Sequence, residues 1–237
     1  MNKPKTIDTR KNIKTITSNS FITAKGLEKL SLKARKMLYI AISQCRKDDK
    51  AFDTYEISIK EFAEMIGITP KAVYPEANHI TDELISGVLY TVQQESALSI
   101  FSICEYRDSV FCFKLDSDMD IFLLKQKKNF SQPLLNDFLK MKSTYSIAIW
   151  HLMQREMHSH KPNLDNTLKV DLLLEELREV TGTTKKLKQL GQFKERCFDK
   201  ALREINENCG VKVTYENIKR GHRVVGFRCS VKGVIHT

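Results

Sequence analysis

Over residues 31–45 the apolar side chains Leu32, Met37, Leu38, Ile40, Ala41 and Ile42 fall on one broad helical face. A polar stretch at 48–53 interrupts the pattern, and Tyr55-Glu56-Ile57 reads as a short strand. Ser58, with Glu61 three positions on, forms a capping box for a helix through Met65 that Gly67 ends. Thr69-Pro70 opens the next helix, with Thr69 as N-cap and proline at the first helical position. That helix runs to about Ser86, but Pro75 has no amide proton for a helix interior, so the regular part begins nearer Glu76. Aromatic and β-branched runs at 88–94, 98–106 and 110–115 predict a small antiparallel sheet.

Residues 116–135 form a junction, with Ile121-Phe122-Leu123-Leu124, then Lys125, Lys127 and Lys128, then Pro133. Beyond it the pattern starts again. Residues 144–154 read as a helix, 168–170 as a strand and 171–180 as an amphipathic helix closed near Gly182. A long helix follows over about 185–208, then β-rich runs at 211–216 and 224–231 joined by residues 217–223. Helix, tight turn, helix and a charged-tip hairpin is the order of a winged helix, a variant of the helix-turn-helix. The first half carries a weaker copy, offset by about 110–115 residues, which suits two tandem domains and not a solenoid. The expected fold is α+β and helix-rich: a flexible basic arm (1–25), an N-terminal winged helix (26–128) and a C-terminal winged helix (129–237).

Composition narrows the partner. Hydrophobic residues make up 41% of the 237, enough for a real core, and 39 Lys+Arg against 29 Asp+Glu leave a net charge of +10. Such an excess favours a polyanion, nucleic acid or an anionic membrane surface. No apolar run approaches the roughly 18–20 residues that span a bilayer, and the polar start lacks the apolar stretch of a secretory signal. A surface helix with a Trp/Phe/Leu face opposite a Lys/Arg face is missing too, so no membrane role is expected. The six cysteines are scattered without a C-x-x-C pair, which predicts a reducing, cytoplasmic setting with no zinc site, no disulfide and no cofactor.

The sharpest chemical signal is a contrast between neighbours. Residues 171–179 hold four acids and a single base, Arg178, whereas 185–203 hold Lys185, Lys186, Lys188, Lys194, Arg196, Lys200 and Arg203 against Glu195 and Asp199. Leu187, Leu190, Phe193, Cys197, Phe198, Ala201, Leu202 and Ile205 form the inward stripe. That leaves Lys188, Gln189, Gln192, Lys194, Glu195 and Arg196 outward at the end a recognition helix inserts into the major groove. Arg and Lys read guanine, Gln reads adenine, Glu accepts from cytosine N4, and flanking lysines hold phosphates. A basic run alone is most often a solvated face. The acid-to-base switch, followed by Lys219, Arg220, His222 and Arg223 at the hairpin tip, favours duplex DNA. Lys71, Tyr74 and Asn78 are the corresponding candidates in the first unit.

Two features imitate catalysis. His158-Ser159-His160 has the spacing of a metal-binding pair, and Tyr215 to Lys219 that of a nicking nucleophile, so both resemble rolling-circle endonucleases in those spacings alone. That family's middle residue is bulky, apolar and in a strand; here it is Ser159, in a polar turn before Lys161-Pro162. Neither G-x-x-x-x-G-K nor G-x-G-x-x-G occurs. No catalysis is expected.

From about Leu30 to Val231 the chain resembles the iteron-binding replication initiators of theta-replicating plasmids. The resemblance rests on Leu32-Lys33-Ala34-Arg35-Lys36-Met37-Leu38-Tyr39 and on Lys142-Ser143-Thr144-Tyr145-Ser146-Ile147-Ala148-Ile149-Trp150. It is strongest at Phe193-Lys194-Glu195-Arg196-Cys197-Phe198 and Ala201-Leu202-Arg203-Glu204-Ile205-Asn206, continuing through Val213-Thr214-Tyr215-Glu216 to Lys219-Arg220-Gly221. It implies two winged helices, the second reading repeated origin sequences (iterons) in double-stranded DNA and the first adding DNA contacts and a dimer interface. It also implies monomers that start replication, in equilibrium with homodimers that repress the gene's own promoter at an operator inverted repeat. The host replication initiator and helicase are further implied partners. Two residues depart from the pattern: Glu195 stands where a base is common, and Leu187 where an aromatic is common. A dimeric repressor without an initiator role, or a nicking enzyme, is the alternative.

Overall fold

The computed structural model describes residues 3–10, 13–46, 49–91, 94–124, 130–160 and 166–233. Its N-terminal segment departs from expectation at once. Strand β1 (Lys5–Thr6) pairs in parallel with a strand in the first unit, and β2 (Thr17–Ser18) with one beyond the junction. Ser18 caps the short helix α1 (Asn19–Ile22), accepting from the Phe21 amide. Ile7, Phe21 and Ile22 are buried, and so are Thr15, Thr17 and Ser18. Where a flexible arm is expected, residues 3–10 and 13–25 are therefore a packed strap. Its charged residues are mostly basic, but a few widely spaced apolar side chains seat it in the core.

Helix α2 (Leu32–Ser43) starts at Ser31, whose hydroxyl accepts from the Ala34 amide, and β3 (Tyr55–Ser58) follows. Helix α3 (Ile59–Ile66) carries the expected capping box: Ser58 Oγ accepts from the Glu61 amide at 3.1 Å, and Glu61 Oε2 from the Ser58 amide at 3.0 Å. Gly67 ends it at φ 72°, a left-handed conformation that favours glycine. Two 3₁₀ turns, Pro70–Ala72 and Tyr74–Glu76, occupy the stretch around Pro75, and α4 (Ala77–Ile85) begins just beyond. The three expected β runs become four strands: β4 (Val88–Thr91), β5 (Gln94–Ser99), β6 (Phe101–Arg107) and β7 (Val110–Leu115). β4 and β5 form a separate hairpin, and β1-β3-β7-β6 the larger sheet, because the chain turns at buried Ile100. The Ile100 amide and carbonyl bond instead to Gly87 and Asp116.

Helix α5 (Asp120–Leu123) leads into the junction. The expected domain boundary at 128/129 lies outside the described residues, as do Lys125, Lys127 and Lys128. Next come β8 (Phe130–Ser131), which pairs with β2, then α6 (Leu135–Lys140) and α7 (Thr144–His158). Strand β9 (Thr167–Leu173) runs three residues past the expected end, so Asp171 belongs to it and pairs with Arg228 at 2.8 Å. Helix α8 (Leu174–Val180) is correspondingly shorter than expected. Alternate burial of Leu168, Val170 and Leu172 explains the difference, since a period of two suits a sheet. Helix α9 (Leu190–Phe193), a π turn (Lys194–Phe198) and α10 (Asp199–Asn208) form one continuous helical stretch. The hairpin β10 (Val211–Arg220) and β11 (Arg223–Gly233) closes the unit, with sheet order β10-β11-β9.

The chain thus folds as two tandem winged-helix domains, and a shared core joins them. Tyr39 of α2 stacks on Phe138 of α6 at 4.2 Å between ring centres. Its hydroxyl bonds to Nδ1 of His151 on α7 at 2.8 Å, and Thr17 Oγ1 of the strap bonds to Nε2, also at 2.8 Å. Burial lowers the His151 pKa to about 3, so the imidazole stays neutral and serves one of these hydroxyls as donor and the other as acceptor. Among the described residues, no helix is long and apolar enough to cross a membrane.

Candidate nucleic-acid interface

In the second domain the candidate interface comprises the turn after α8, the helix beginning at Leu190, and the β10–β11 tip. The turn bends at Gly182 (φ 65°) and again at Leu187, whose φ of 49° is unusual for a non-glycine residue. Thr181 Oγ donates to the Leu177 carbonyl at 2.6 Å and meets Thr183 Oγ at 2.9 Å, tying the start of the turn to α8. Lys185, Lys186, Lys188 and Gln189 were expected on the helix; they lie in this turn instead, all four exposed. Their residue types favour helix, but the left-handed Leu187 rules out continuous helical hydrogen bonding there.

Along the helix, six members of the expected inward stripe, Phe193, Cys197, Phe198, Ala201, Leu202 and Ile205, are buried, whereas Leu190 is half-buried and Leu187, also half-buried, lies in the turn. At the π turn the Asp199 amide donates to the Lys194 carbonyl, and the adjacent residues Cys197 and Phe198 are both buried. Phe198 then stacks on Phe227 of β11 at 4.3 Å and meets Tyr215 of β10 edge-on at 5.0 Å. Recognition helix and wing are thereby joined through aromatic rings. Gln192, Glu195, Arg196, Lys200 and Arg203 are exposed. Lys194 is half-buried, its ammonium 5.1 Å from the centre of the Tyr215 ring, so it braces the wing where an outward reader was expected.

At the tip, Arg220 pairs with Arg223 across the two-residue turn Gly221-His222, and Gly221 supplies a φ of 60°. Lys219, Arg220 and Arg223 are exposed strand residues, where a seven-residue loop was expected. In the first domain Lys71 and Tyr74 are exposed on the two 3₁₀ turns and Asn78 on the first turn of α4. Lys33 of α2 holds that region, donating to the Ala72 carbonyl and pairing with Glu76, each at 2.7 Å.

The residues that imitated a nicking site are engaged otherwise. Tyr215 donates to Asp199 Oδ1 at 2.7 Å, and burial together with that carboxylate pushes its phenol above the ordinary tyrosine range. His160 donates through Nδ1 to the Glu156 carbonyl at 2.7 Å; Lys161-Pro162 lies outside the described residues. One contributor escaped the sequence reading. Arg178, the single base of the acidic helix, points its guanidinium into the turn. That isolated base was the available signal.

Two family models match: "Initiator Replication protein, WH1" over residues 14–154 and "Initiator Rep protein, WH2" over residues 173–230. Among solved structures the chain is similar to one described as "Crystal structure of Pi initiator protein in complex with iteron DNA". That likeness has a TM-score of 0.78 at 18% sequence identity and covers 96% of this chain and 100% of the other. A comparison with curated proteins found no match.

Proposed function

The chain belongs to the initiator replication protein family, and from that premise we propose that it starts plasmid replication by binding repeated origin sequences (iterons) in duplex DNA. One observation carries the reading: a single winged helix exposes Lys185, Lys186 and Lys188 on its turn, Arg196 and Lys200 on its helix, and Lys219, Arg220 and Arg223 on its wing. A turn and wing so charged grip phosphates on either side of a helix that enters the major groove. Gln192, Glu195 and Arg196 then face base edges, suited to adenine, cytosine N4 and guanine respectively. The first domain adds contacts through Lys71, Tyr74 and Asn78 further along the same duplex. Under this reading a homodimer in equilibrium with the monomer represses the gene's own promoter at an inverted repeat, because two-fold protein symmetry suits two-fold sequence symmetry. The host initiator and helicase are its later partners, and no step is catalytic. The engaged, weakly acidic Tyr215 supports that last point.

The test is binding to a duplex carrying direct repeats of about 20 base pairs, taken from DNA beside the gene, against a scrambled duplex. Preference for the repeats by about 10³-fold or more is expected. Equal affinity for both would overturn the proposal, and a covalent Tyr215 adduct on supercoiled DNA with Mg²⁺ would overturn its non-catalytic part.

A further inference from the structure

Arg178 is the only base on α8, yet its hydrogen bonds do not go to the acids around it. Nη1 donates to the carbonyls of Leu187 at 3.0 Å, Thr183 at 3.3 Å and Lys186 at 3.4 Å, and Nη2 to that of Lys188 at 3.1 Å. The guanidinium carbon sits 4.7 Å from the centre of the Phe193 ring, in the first turn of the reading helix. One side chain thus touches three elements: its own helix, the turn, and the helix that follows.

The turn needs such a partner. Its backbone leaves helical geometry between Gly182 and Leu190; the Thr183 carbonyl still accepts from the Lys186 amide at 3.1 Å, but among the described residues those of Lys186, Leu187 and Lys188 have no backbone amide donor. A guanidinium is the side chain with enough donors, five in one plane, to serve several carbonyls together and stack on an aromatic face as well. Two of the carbonyls it holds belong to Lys186 and Lys188, whose side chains are exposed.

We propose that Arg178 is a positioning residue for DNA binding: it fixes the turn that presents Lys185, Lys186 and Lys188 to the phosphate backbone, without touching DNA itself. This rests on the DNA-binding reading above. The consequence is a particular non-additivity. Without Arg178 the turn lysines keep their charges but not their common placement, so their grip on the phosphates fails together.

The experiment uses the full chain and the repeat-bearing duplex, with four variants: Arg178→Gln, Arg178→Lys, the triple Lys185→Ala/Lys186→Ala/Lys188→Ala, and that triple combined with Arg178→Gln. Affinity is measured across a range of salt concentrations, and amide hydrogen exchange over residues 183–189 is followed in the free proteins. The salt slope falls by about 0.9 for each phosphate that the protein no longer neutralises. Arg178→Gln is expected to lower the slope as far as the triple does, to add nothing to the triple, and to speed exchange in the turn while the rest of the chain keeps its protection. Arg178→Lys is expected to share the loss, since one ammonium cannot span four carbonyls. A further fall in slope when Arg178→Gln joins the triple would make Arg178 a direct DNA ligand and overturn the proposal. Wild-type behaviour of Arg178→Lys, or unchanged exchange in the turn, would overturn it equally. If Arg178→Gln does not fold, Arg178→Lys carries the test by both measurements. Should the wild type itself fail to prefer repeats, the proposed function falls, whereas the exchange data still report on the clamp.

Discussion

Under the proposed function, single side chains divide this protein's surface into groups placed to read bases and groups that hold the fold. Arg196 is exposed on the reading helix, while Lys194 two residues earlier leans on Tyr215. Two positions apart on a helix, the two side chains leave on nearly opposite sides. Arg196→Ala is expected to weaken repeat binding by about 1–3 kcal/mol and to relax the preference at one base pair. Lys219→Ala, at the wing, should weaken repeat and scrambled duplexes alike and lower the salt slope by about 0.9. Titrations of both variants against single-base-substituted repeats check this; a uniform loss for Arg196→Ala would make it a phosphate ligand. Base types at these positions were legible from the sequence. Which of them turn back towards the wing was not, because that depends on rings in β10 and β11 that only the fold brings near.

Among the elements, those with local punctuation were the most legible. Ser58 caps α3 as its spacing from Glu61 predicts, and Gly67 ends α3 in a left-handed conformation. Ser58→Ala removes an accepting hydroxyl and half of a reciprocal cap, so a loss of about 1 kcal/mol is expected. The Ser58 hydroxyl and amide also hold the Glu61 carboxyl below its ordinary range, and the variant should let it rise. Denaturant unfolding together with a carboxyl titration by NMR checks both, and unchanged stability would deny the cap its role. The start of the reading helix was not legible. Thr184 to Gln189 are acceptable helix formers, and only the Arg178 clamp and the left-handed Leu187 explain why that stretch is a turn. Strand β9 outran its expected end for a related reason: pairing with β11 prolongs it to Leu173.

At the scale of the whole molecule, the two domains are joined by polar groups set in a hydrophobic core. Gly182, in the reading turn, lies against Glu28 of the first domain, where an added Cβ would come within 2.9 Å of the Glu28 side chain. His151 connects the strap, α2 and α7 through its two hydroxyl partners. Because folding depresses its pKa to about 3 from an ordinary 6.5, the unfolded chain takes up a proton that the folded chain refuses between those values. Stability is therefore complete above about pH 6.5 and falls as the pH drops towards 3, by up to about 1.4 kcal/mol per pH unit from this group. Urea unfolding at pH 7, 6 and 5 should show the decline, and His151→Gln should flatten it; an equal slope in the variant would move the cause to another group. The sequence by itself determined the capped helices α2 and α3, the duplication and the basic character of the second domain, because caps, periodicity and charge act over a few residues. Tertiary structure alone decided that residues 3–10 and 13–25 are a strap, that the turn before Leu190 is clamped from α8, and that the two domains share a core. Each of those depends on contacts between residues distant in the chain, where a buried Phe21 or His151, or the half-buried Arg178, outweighs the local preference of its neighbours.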